Sequence, residues 1–377
     1  MKTPVPLHPN PPPLIRVRGS HRAIGQQLGE ALKSQILRSR EIARTLIEHP
    51  ASGLNLQWEG AVIQAQKYLP YIQERYPRYA DEIMGIAEGS GVSFRDLCVL
   101  TTFEAVTSDA LHLGKCTSVA VNGDLTTDGH VLIAHNEDWT PEDEQDVALV
   151  HASPDDEPPF LAMMYGGYLP NIGFNACGIA QCCDSVHPSD SRIGVPRVIA
   201  SRAVLGTRTI ADAIRCMVSP YRAAGYNHLL AHESGELYCV EVSARRFAIL
   251  YAHEGHIVHT NHYLDAQLQA VEKNPDELLN TRIRRSRATN ILRLNEKHKL
   301  KHKLKHKLKH NLHSLQIILQ DHVNYPHAIC NHAQDIESWF LREKTICSLI
   351  IDLTAHTMHI AWGNPCQNPY HTFFLES

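Results

Sequence analysis

The stretch LGKCTSVAVNGDLTTDGHVLIAHNEDW, residues 113–139, contains the pattern on which the fold depends. Two β-rich runs, TSVAVNG and HVLIAHN, flank a loop that contains Asp128-Gly129, and this arrangement predicts a β-hairpin. Cys116 stands at the start of the first strand, and the tetrapeptide Asn-Glu-Asp-Trp ends the second. The stretch therefore predicts a hairpin with a cysteine at its opening.

The chain before this hairpin has the periodicity of helices. Apolar residues recur at spacings of three and four over Ile24, Leu28, Leu32 and Ile36, and residues 20–110 are predicted to be mainly helical. The proline-rich start, MKTPVPLHPNPPPLI, predicts an extended arm over residues 1–18. Residues 19–115 would then form a helical section ahead of the hairpin.

The chain after the hairpin alternates groups of strands with groups of helices. Strands are predicted at DVALVHA, FLAMMY, IGFNACGIAQCCDSV, HLLAHESGELYCVEVS and RFAILYAHEGHIVHTNH, with a closing hairpin at TICSLIIDLTAHTMHIAWG. This order lacks the regular βαβ repeat of a parallel sheet. The fold class expected for residues 116–377 is therefore α+β, a sandwich of two antiparallel sheets with helices on the outer faces.

Composition restricts the classes of protein to consider. The 377 residues are 43% hydrophobic and 20% charged, with a net charge of −4, as in soluble globular proteins. Residues 297–312 contribute seven lysines and no acid, so without them the charge is −11, which argues against a nucleic-acid partner. No apolar run is long enough for a membrane span, no secretory signal is evident, and ten irregularly spaced cysteines predict a reducing, cytoplasmic location.

The stretch KHKLKHKLKHKLKHNL, residues 297–312, is a low-complexity segment. Leucines recur every fourth residue, which is compatible with a helix that binds anionic surfaces or responds to pH through its histidines. Four leucines bury little area, however, and an expanded surface insertion is the favoured interpretation.

Cys116 is a candidate nucleophile. If the Lys115–Cys116 bond is cut, Cys116 gains an α-amino group, whose pKa of about 7.7–8.0 suits a base that accepts the thiol proton. Attack of the thiol on the preceding carbonyl would itself cut that bond through a thioester. From the residues alone, a buried structural cysteine is the more common explanation.

Motifs spread along the chain favour a nucleophilic role for Cys116 over a structural one. They are GSHRAIGQQLGEAL, DEIMGIAEGSGVSFRDL, KCTSVAV, AHNEDW, GFNACGIA, VPRVIASRAVL, HTNHY and GNPCQNPY. In this order they resemble the acyl-coenzyme A:6-aminopenicillanic acid acyltransferase family of autoprocessing N-terminal-nucleophile (Ntn) hydrolases, and YGGYLPNIGFN is similar to its β-alanyl amine hydrolase branch. The resemblance implies an Ntn αββα sandwich, and self-cleavage into an α chain, 1–115, and a β chain, 116–377, that remain together.

The resemblance also implies roles for individual residues. Cys116 would be the nucleophile, Asp138 would orient its amine, and Asn261 would donate a hydrogen bond to the oxyanion. Asn175 would line the substrate pocket. The implied activity is hydrolysis or transfer of the acyl group of a small linear amide, with an acyl-coenzyme A donor left open and neither cofactor nor metal expected.

Two departures from the family pattern are evident. Lys115 stands where relatives commonly have Asp or Gly, and the relatives' Pro-x-Ser-Ile-Cys-Arg-His becomes Pro-His-Ala-Ile-Cys-Asn-His, with Ala328 and Asn331 at the changed positions. A role of that serine and arginine in processing or substrate binding is therefore in doubt. Arg284 could supply a positive charge instead, but it is interpreted as part of a solvated helix face.

Two other functions remain open. The chain could be an uncut, non-catalytic scaffold of the same fold. It could also bind a metal through its histidines, but His253, His256, His259 and His262 are three apart on a predicted strand, so their side chains point to opposite faces. No HExxH motif or paired CxxC is present.

Overall fold

A computed structural model describes residues 8–107, 115–275, 278–301, 309–334 and 342–376, with the side chains of 294–301 outside that description. The strands are β1 Leu14–Gly19, β2 Thr117–Val121, β3 Leu132–Trp139, β4 Val147–Pro154, β5 Phe160–Tyr165, β6 Ile172–Asn175, β7 Ile179–Asp184, β8 Tyr226–His232, β9 Leu237–Val242, β10 Phe247–Tyr251, β11 His256–His259, β12 Lys344–Asp352, β13 Thr357–Trp362 and β14 Tyr370–Phe374. The helices are α1 His21–Ala31, α2 Lys33–Glu48, α3 Trp58–Gln66, α4 Leu69–Arg75, α5 Pro77–Ser90, α6 Phe94–Thr101, α7 Phe103–Thr107, α8 Arg197–Leu205, α9 Ile210–Met217, α10 Ala266–Gln269, α11 Leu279–Lys301 and α12 Leu312–Leu319.

The strands form two sheets, which confirms the predicted α+β sandwich. One sheet has eight strands in the order β1-β4-β5-β6-β7-β8-β9-β10, and the other has six in the order β11-β2-β3-β12-β13-β14. The sheets face each other through β2 and β3 on one side and β7 and β8 on the other. Helices α8 and α9 lie on the eight-stranded sheet, and α11 and α12 lie on the six-stranded sheet. Central strands are therefore covered on both faces, which explains fully buried runs such as TSVAV in β2.

The structure adds one strand to the predicted arrangement and separates two others. The predicted extended arm ends in β1, which pairs with β4 in the parallel sense, Leu14 opposite Leu149. The strands predicted at RFAILYAHEGHIVHTNH are not neighbours in one sheet, because β10 pairs with β9 whereas β11 pairs with β2 in the other sheet. Glu254 and Gly255, both with positive φ, make the turn at which the chain passes between the sheets.

The predicted helical section, α1 to α7, packs beside the β1–β4 edge, and its glycine motif has a physical cause. Helices α1 and α5 approach so closely that a Cβ at Gly25 would lie 2.0 Å from the Glu82 carbonyl oxygen, and one at Gly85 would lie 2.1 Å from that of Arg22. Gly29 and Gly89 make similar approaches one turn further along. The Gly-x3-Gly spacing therefore fixes the distance between these two helices.

Within the low-complexity segment, 297–312, residues 302–308 lie outside the described part, and the residues before them belong to the end of α11. At the end of the segment His310 is buried and forms an isolated bridge with Thr126. All ten cysteines are described, and none is in a disulfide. Among the described residues, no helix combines the length and the apolar character needed to cross a membrane.

Candidate active site

Cys116 lies immediately before β2, at one end of the space between the sheets, and is 3% exposed. The β2–β3 register pairs Thr117 with Asn136, which places Cys116 opposite Glu137. The Cys116 thiol donates to Glu137 Oε2 at 3.6 Å. Burial raises the pKa of the thiol well above its usual value, and the nearby carboxylates raise it further. A base is therefore required before this sulfur can act as a nucleophile.

Asp138, the next residue on β3, is completely buried. Its Oδ1 accepts a hydrogen bond of 2.6 Å from Thr345 Oγ1, while Oδ2 finds no partner among the described residues. Burial raises the pKa of Asp138 well above its usual range, against the opposing charge of Arg284. Because a buried acceptor without a donor costs about 1–3 kcal/mol, the second oxygen marks a position suited to a hydrogen-bond donor.

Arg284 is the functional residue that the sequence analysis misjudged. It is 1% exposed, so its interpretation as a solvated helix face is wrong. Its Nη1 donates to the Cys116 carbonyl oxygen at 2.6 Å and its Nη2 donates to Asn261 Oδ1 at 2.8 Å. The available signal was helical spacing, since Thr281, Arg284 and Ala288 form one buried stripe of α11 against β2 and β11.

Asn261 is thereby held next to Cys116 through one guanidinium group. Its Nδ2 donates to the Ser185 carbonyl oxygen at 3.0 Å, which leaves the second amide N–H for another acceptor. Asn261, Arg284 and Lys115 line the same cleft of about 190 Å³, and Lys115 forms an ion pair of 2.9 Å with Glu343. The structure thus brings together four of the five predicted site residues, Lys115, Cys116, Asp138 and Asn261.

Asn175 has a different environment, and its predicted substrate role is not supported. Its Nδ2 donates to the carbonyl oxygens of Leu205 and Thr207, and its Oδ1 accepts from the backbone of Cys177 and Ile179. All four hydrogen-bonding positions of this amide are therefore used. Asn175 fixes its own turn and the end of α8.

A buried hydrogen-bonded chain that the sequence analysis missed leads away from Cys116 between the sheets. Its links are Glu137 Oε2 to His135 Nε2 at 2.8 Å, His135 Nδ1 to Ser118 Oγ at 2.8 Å, Ser118 Oγ to Asp184 Oδ1 at 2.8 Å, Asp184 Oδ2 to His259 Nδ1 at 3.1 Å, and His259 Nε2 to Glu241 Oε1 at 2.9 Å. The ligand atoms of Cys116, His135 and Glu137 lie within 4.8 Å of one another. Because these three groups already form hydrogen bonds with one another, we assign them to the hydrogen-bonded chain and not to a metal site. The signal was the spacing of two in His135–Glu137, which places both on one strand face.

His259 makes the stability of the folded protein depend on pH. Burial opposes its charged form, but hydrogen bonds and charges from Asp184 and Glu241 prevail and raise its pKa to about 9. Its contribution to the free energy of unfolding is complete below the unfolded pKa of about 6.5 and is lost as pH rises through 9, by up to roughly 3 kcal/mol. Urea unfolding at pH 6.5 and pH 9 should show this loss in the wild type and in the control His253→Gln, whose histidine is exposed. If His259→Gln lost as much unfolding free energy between pH 6.5 and pH 9 as the wild type, the loss could not be attributed to His259.

Arg284→Gln is expected to lower the free energy of unfolding by about 3 kcal/mol or more, because several buried acceptors lose their donor. Any rate that depends on the position of Cys116 or Asn261 should fall as well. Urea unfolding measures the first effect, and Arg282→Gln, an exposed arginine on the same helix, is the control. Equal stability of the two variants would refute the described role of Arg284.

Comparisons with known proteins agree with the motifs. The model of the family described as acyl-coenzyme A:6-aminopenicillanic acid acyl-transferase matches residues 125–367. The 40 kDa form of the acyl-coenzyme A:6-aminopenicillanic-acid-acyltransferase of Emericella nidulans is 24% identical over 365 residues, which cover 96% of this chain and 95% of that protein. The beta-alanyl-dopamine/carcinine hydrolase of Drosophila melanogaster is 24% identical over 225 residues, 54% of this chain and 57% of that protein.

A comparison with solved structures gave the following matches. A mutant form of the conjugated bile acid hydrolase of Clostridium perfringens matches 68% of this chain and 96% of its own, with 10% identity and a TM-score of 0.44. The penicillin V acylase of Agrobacterium tumefaciens matches 66% of this chain and 83% of its own, with 14% identity and a TM-score of 0.43.

Proposed function

The chain belongs to the acyl-coenzyme A:6-aminopenicillanic acid acyl-transferase family, and on that premise we propose that it is a self-cleaving cysteine amidohydrolase or acyltransferase with Cys116 as its nucleophile. The observation that carries this proposal is the position of Cys116. Cys116 directly precedes β2, and its thiol contacts the Glu137 carboxylate. The next residue on β3, Asp138, has an oxygen without a partner among the described residues.

The first step is self-cleavage, and it needs a base other than an α-amine. In the uncut chain the Cys116 nitrogen is an amide, whereas Glu137 already accepts from the thiol. Glu137 takes the thiol proton, the sulfur attacks the Lys115 carbonyl carbon, and the C–N bond breaks as the proton passes to the leaving nitrogen. Water then hydrolyses the thioester, which frees the Lys115 carboxylate and the Cys116 thiol.

In the second stage the new α-amine of Cys116 is the general base. Once protonated, the amine donates to Asp138 Oδ2, which accepts no hydrogen bond from the described part of the chain. The substrate acyl group forms a thioester with the sulfur, and the second N–H of Asn261 stabilises the developing oxyanion. Water or an acceptor amine then removes the acyl group. At about 190 Å³ the adjacent cleft is smaller than the 300–1,000 Å³ usual for drug-sized ligands, which favours a small linear amide.

Glu137→Gln should separate the two stages. Loss of this base should slow self-cleavage by about 100-fold, while protein that has been cut should keep most of its turnover. The measurement is a time course of the two chains on a denaturing gel, with Glu142→Gln, at a half-buried position in the next loop, as the control. Self-cleavage at the wild-type rate in Glu137→Gln would remove Glu137 from the mechanism.

The activity itself is tested with a panel of N-acyl amines, including β-alanyl amines and acylated 6-aminopenicillanic acid, with and without an acyl thioester and an acceptor amine. Hydrolysis predicts release of free amine without the thioester. Acyl transfer predicts a new amide that forms only when both donor and acceptor are present. Cut, folded protein that turns over none of these combinations would contradict the proposed function.

A further inference from the structure

Four potential metal ligands meet at a site that the proposed reaction does not use. His322 follows α12, Cys330 and His332 lie further along the same loop, and Cys366 lies between β13 and β14. Their ligand atoms all lie within 4.8 Å of one another, and we call them the Cys2His2 cluster. Cys330 is buried, whereas Cys366 and His322 are exposed, so the cluster is open to the surface.

Four of the six donor–donor distances within the cluster are close to those of a tetrahedral zinc site. The two sulfurs are 3.6 Å apart, His332 Nε2 lies 3.6 Å from Cys330 Sγ and 3.4 Å from Cys366 Sγ, and the two Nε2 atoms are 3.0 Å apart. With Zn–S bonds of about 2.3 Å and Zn–N bonds of about 2.0–2.1 Å, tetrahedron edges are about 3.8 Å for S–S, about 3.6 Å for S–N and about 3.3 Å for N–N. A covalent disulfide has an S–S distance of about 2.05 Å, so the two sulfurs are not bonded to each other.

The types of ligand and the hydrogen bonds around them also indicate zinc. Two thiolates and two imidazoles form a donor set typical of structural zinc, and four protein ligands leave no open position for substrate. Asn364 Nδ2 donates to Cys330 Sγ at 3.5 Å and to the Asn331 carbonyl oxygen at 2.7 Å, the type of outer contact that orients metal ligands. We propose that His322, Cys330, His332 and Cys366 bind one structural Zn²⁺ ion. This site differs from the histidine group at 253–262 and revises the expectation that the chain holds no metal.

The backbone of Asn331 connects the proposed zinc site to the proposed active site. Asn331 lies between the ligands Cys330 and His332 in the sequence. The Asn331 N–H donates to Thr345 Oγ1 at 3.0 Å, and the same hydroxyl donates to Asp138 Oδ1 at 2.6 Å. On the other side of the loop, the Asn136 side chain donates to the Leu319 and Ile329 carbonyl oxygens. Zinc would therefore fix the loop that positions Thr345 and, through it, Asp138.

Metal analysis of the purified full chain tests the site. Wild type and Cys177→Ser, a variant at a half-buried cysteine elsewhere, should each carry about one zinc per chain, and Cys366→Ser should lose it. Cys366 is exposed, so its replacement should leave the fold intact. A chelator should lower the Tm of the wild type and of Cys177→Ser but not that of Cys366→Ser.

Cobalt distinguishes this cluster from the histidines of residues 297–312, which can also bind metal ions but offer no sulfur. Co²⁺ should produce thiolate-to-cobalt charge-transfer absorption in wild type and Cys177→Ser that is absent from Cys366→Ser. Reduced wild type with neither zinc nor this absorption would overturn the proposal. So would thiolate-to-cobalt absorption of wild-type intensity in Cys366→Ser, or a Cys330–Cys366 disulfide in freshly purified metal-free protein. None of these results depends on turnover, so the proposed function can fail independently.

Discussion

Cys116→Ala is expected to abolish both self-cleavage and turnover. The sulfur is the attacking atom in both stages, and loss of a catalytic nucleophile lowers kcat by about 10⁴-fold or more. Residues 1–377 should then remain one chain on a denaturing gel, and amine release from any active N-acyl amine should fall to background. Burial of Cys116 raises the concern that its replacement perturbs packing rather than chemistry.

Cys98→Ala controls for packing, because Cys98 is also 3% exposed but lies on α6, away from β2. This variant should be cut and should turn over substrate even if its Tm falls by a few degrees. Self-cleavage that persists in Cys116→Ala would exclude the thiol from that step, whatever happens to turnover.

Asp138→Asn is expected to lower kcat by about 10²–10⁴-fold with little change in Tm. Asparagine has nearly the same shape, and its oxygen can still accept from Thr345 Oγ1. It cannot stabilise a protonated α-amine by charge, and its own N–H₂ presents donors where the amine needs an acceptor. Steady-state kinetics and thermal unfolding of the same preparation separate the two effects.

Asp143→Asn is the matched control for Asp138→Asn. Asp143 is also buried, it follows the same strand, and it accepts from Thr140 and Ser39 rather than from the Cys116 site. Burial raises the pKa of Asp143 to about 7, so an amide there, like one at position 138, replaces a buried carboxyl group that burial favours in its neutral form. A lower Tm with normal specific activity in Asp138→Asn would reverse the assignment and make Asp138 a structural residue.

Local patterns in the sequence were sufficient for much of the fold and for the first part of the site. The hairpin predicted from residues 113–139 is formed by β2 and β3, and that pairing places Cys116 opposite Glu137, next to Asp138. The helical periodicity of residues 20–110 and the strand groups after the hairpin likewise reflect contacts between near neighbours in sequence.

The other parts of the site depend on contacts between distant segments. Arg284 reaches Cys116 across 168 positions, and its burial follows from how α11 packs on the six-stranded sheet. The Cys2His2 cluster joins a loop to a turn 36 positions later. The sequence also could not show that the Asn175 amide is fully hydrogen-bonded to the backbone, because asparagine before a tight turn can stabilise that turn or line a pocket. A single sequence holds no direct signal for such pairings.

N-terminal sequencing of the catalytically active species, combined with its intact mass, tests the central claim most directly. The account predicts two chains that remain associated, one of them beginning Cys-Thr-Ser-Val with the mass of residues 116–377. An active protein that is a single uncut chain, or whose second chain begins at another residue, would contradict the claim that Cys116 becomes an N-terminal nucleophile.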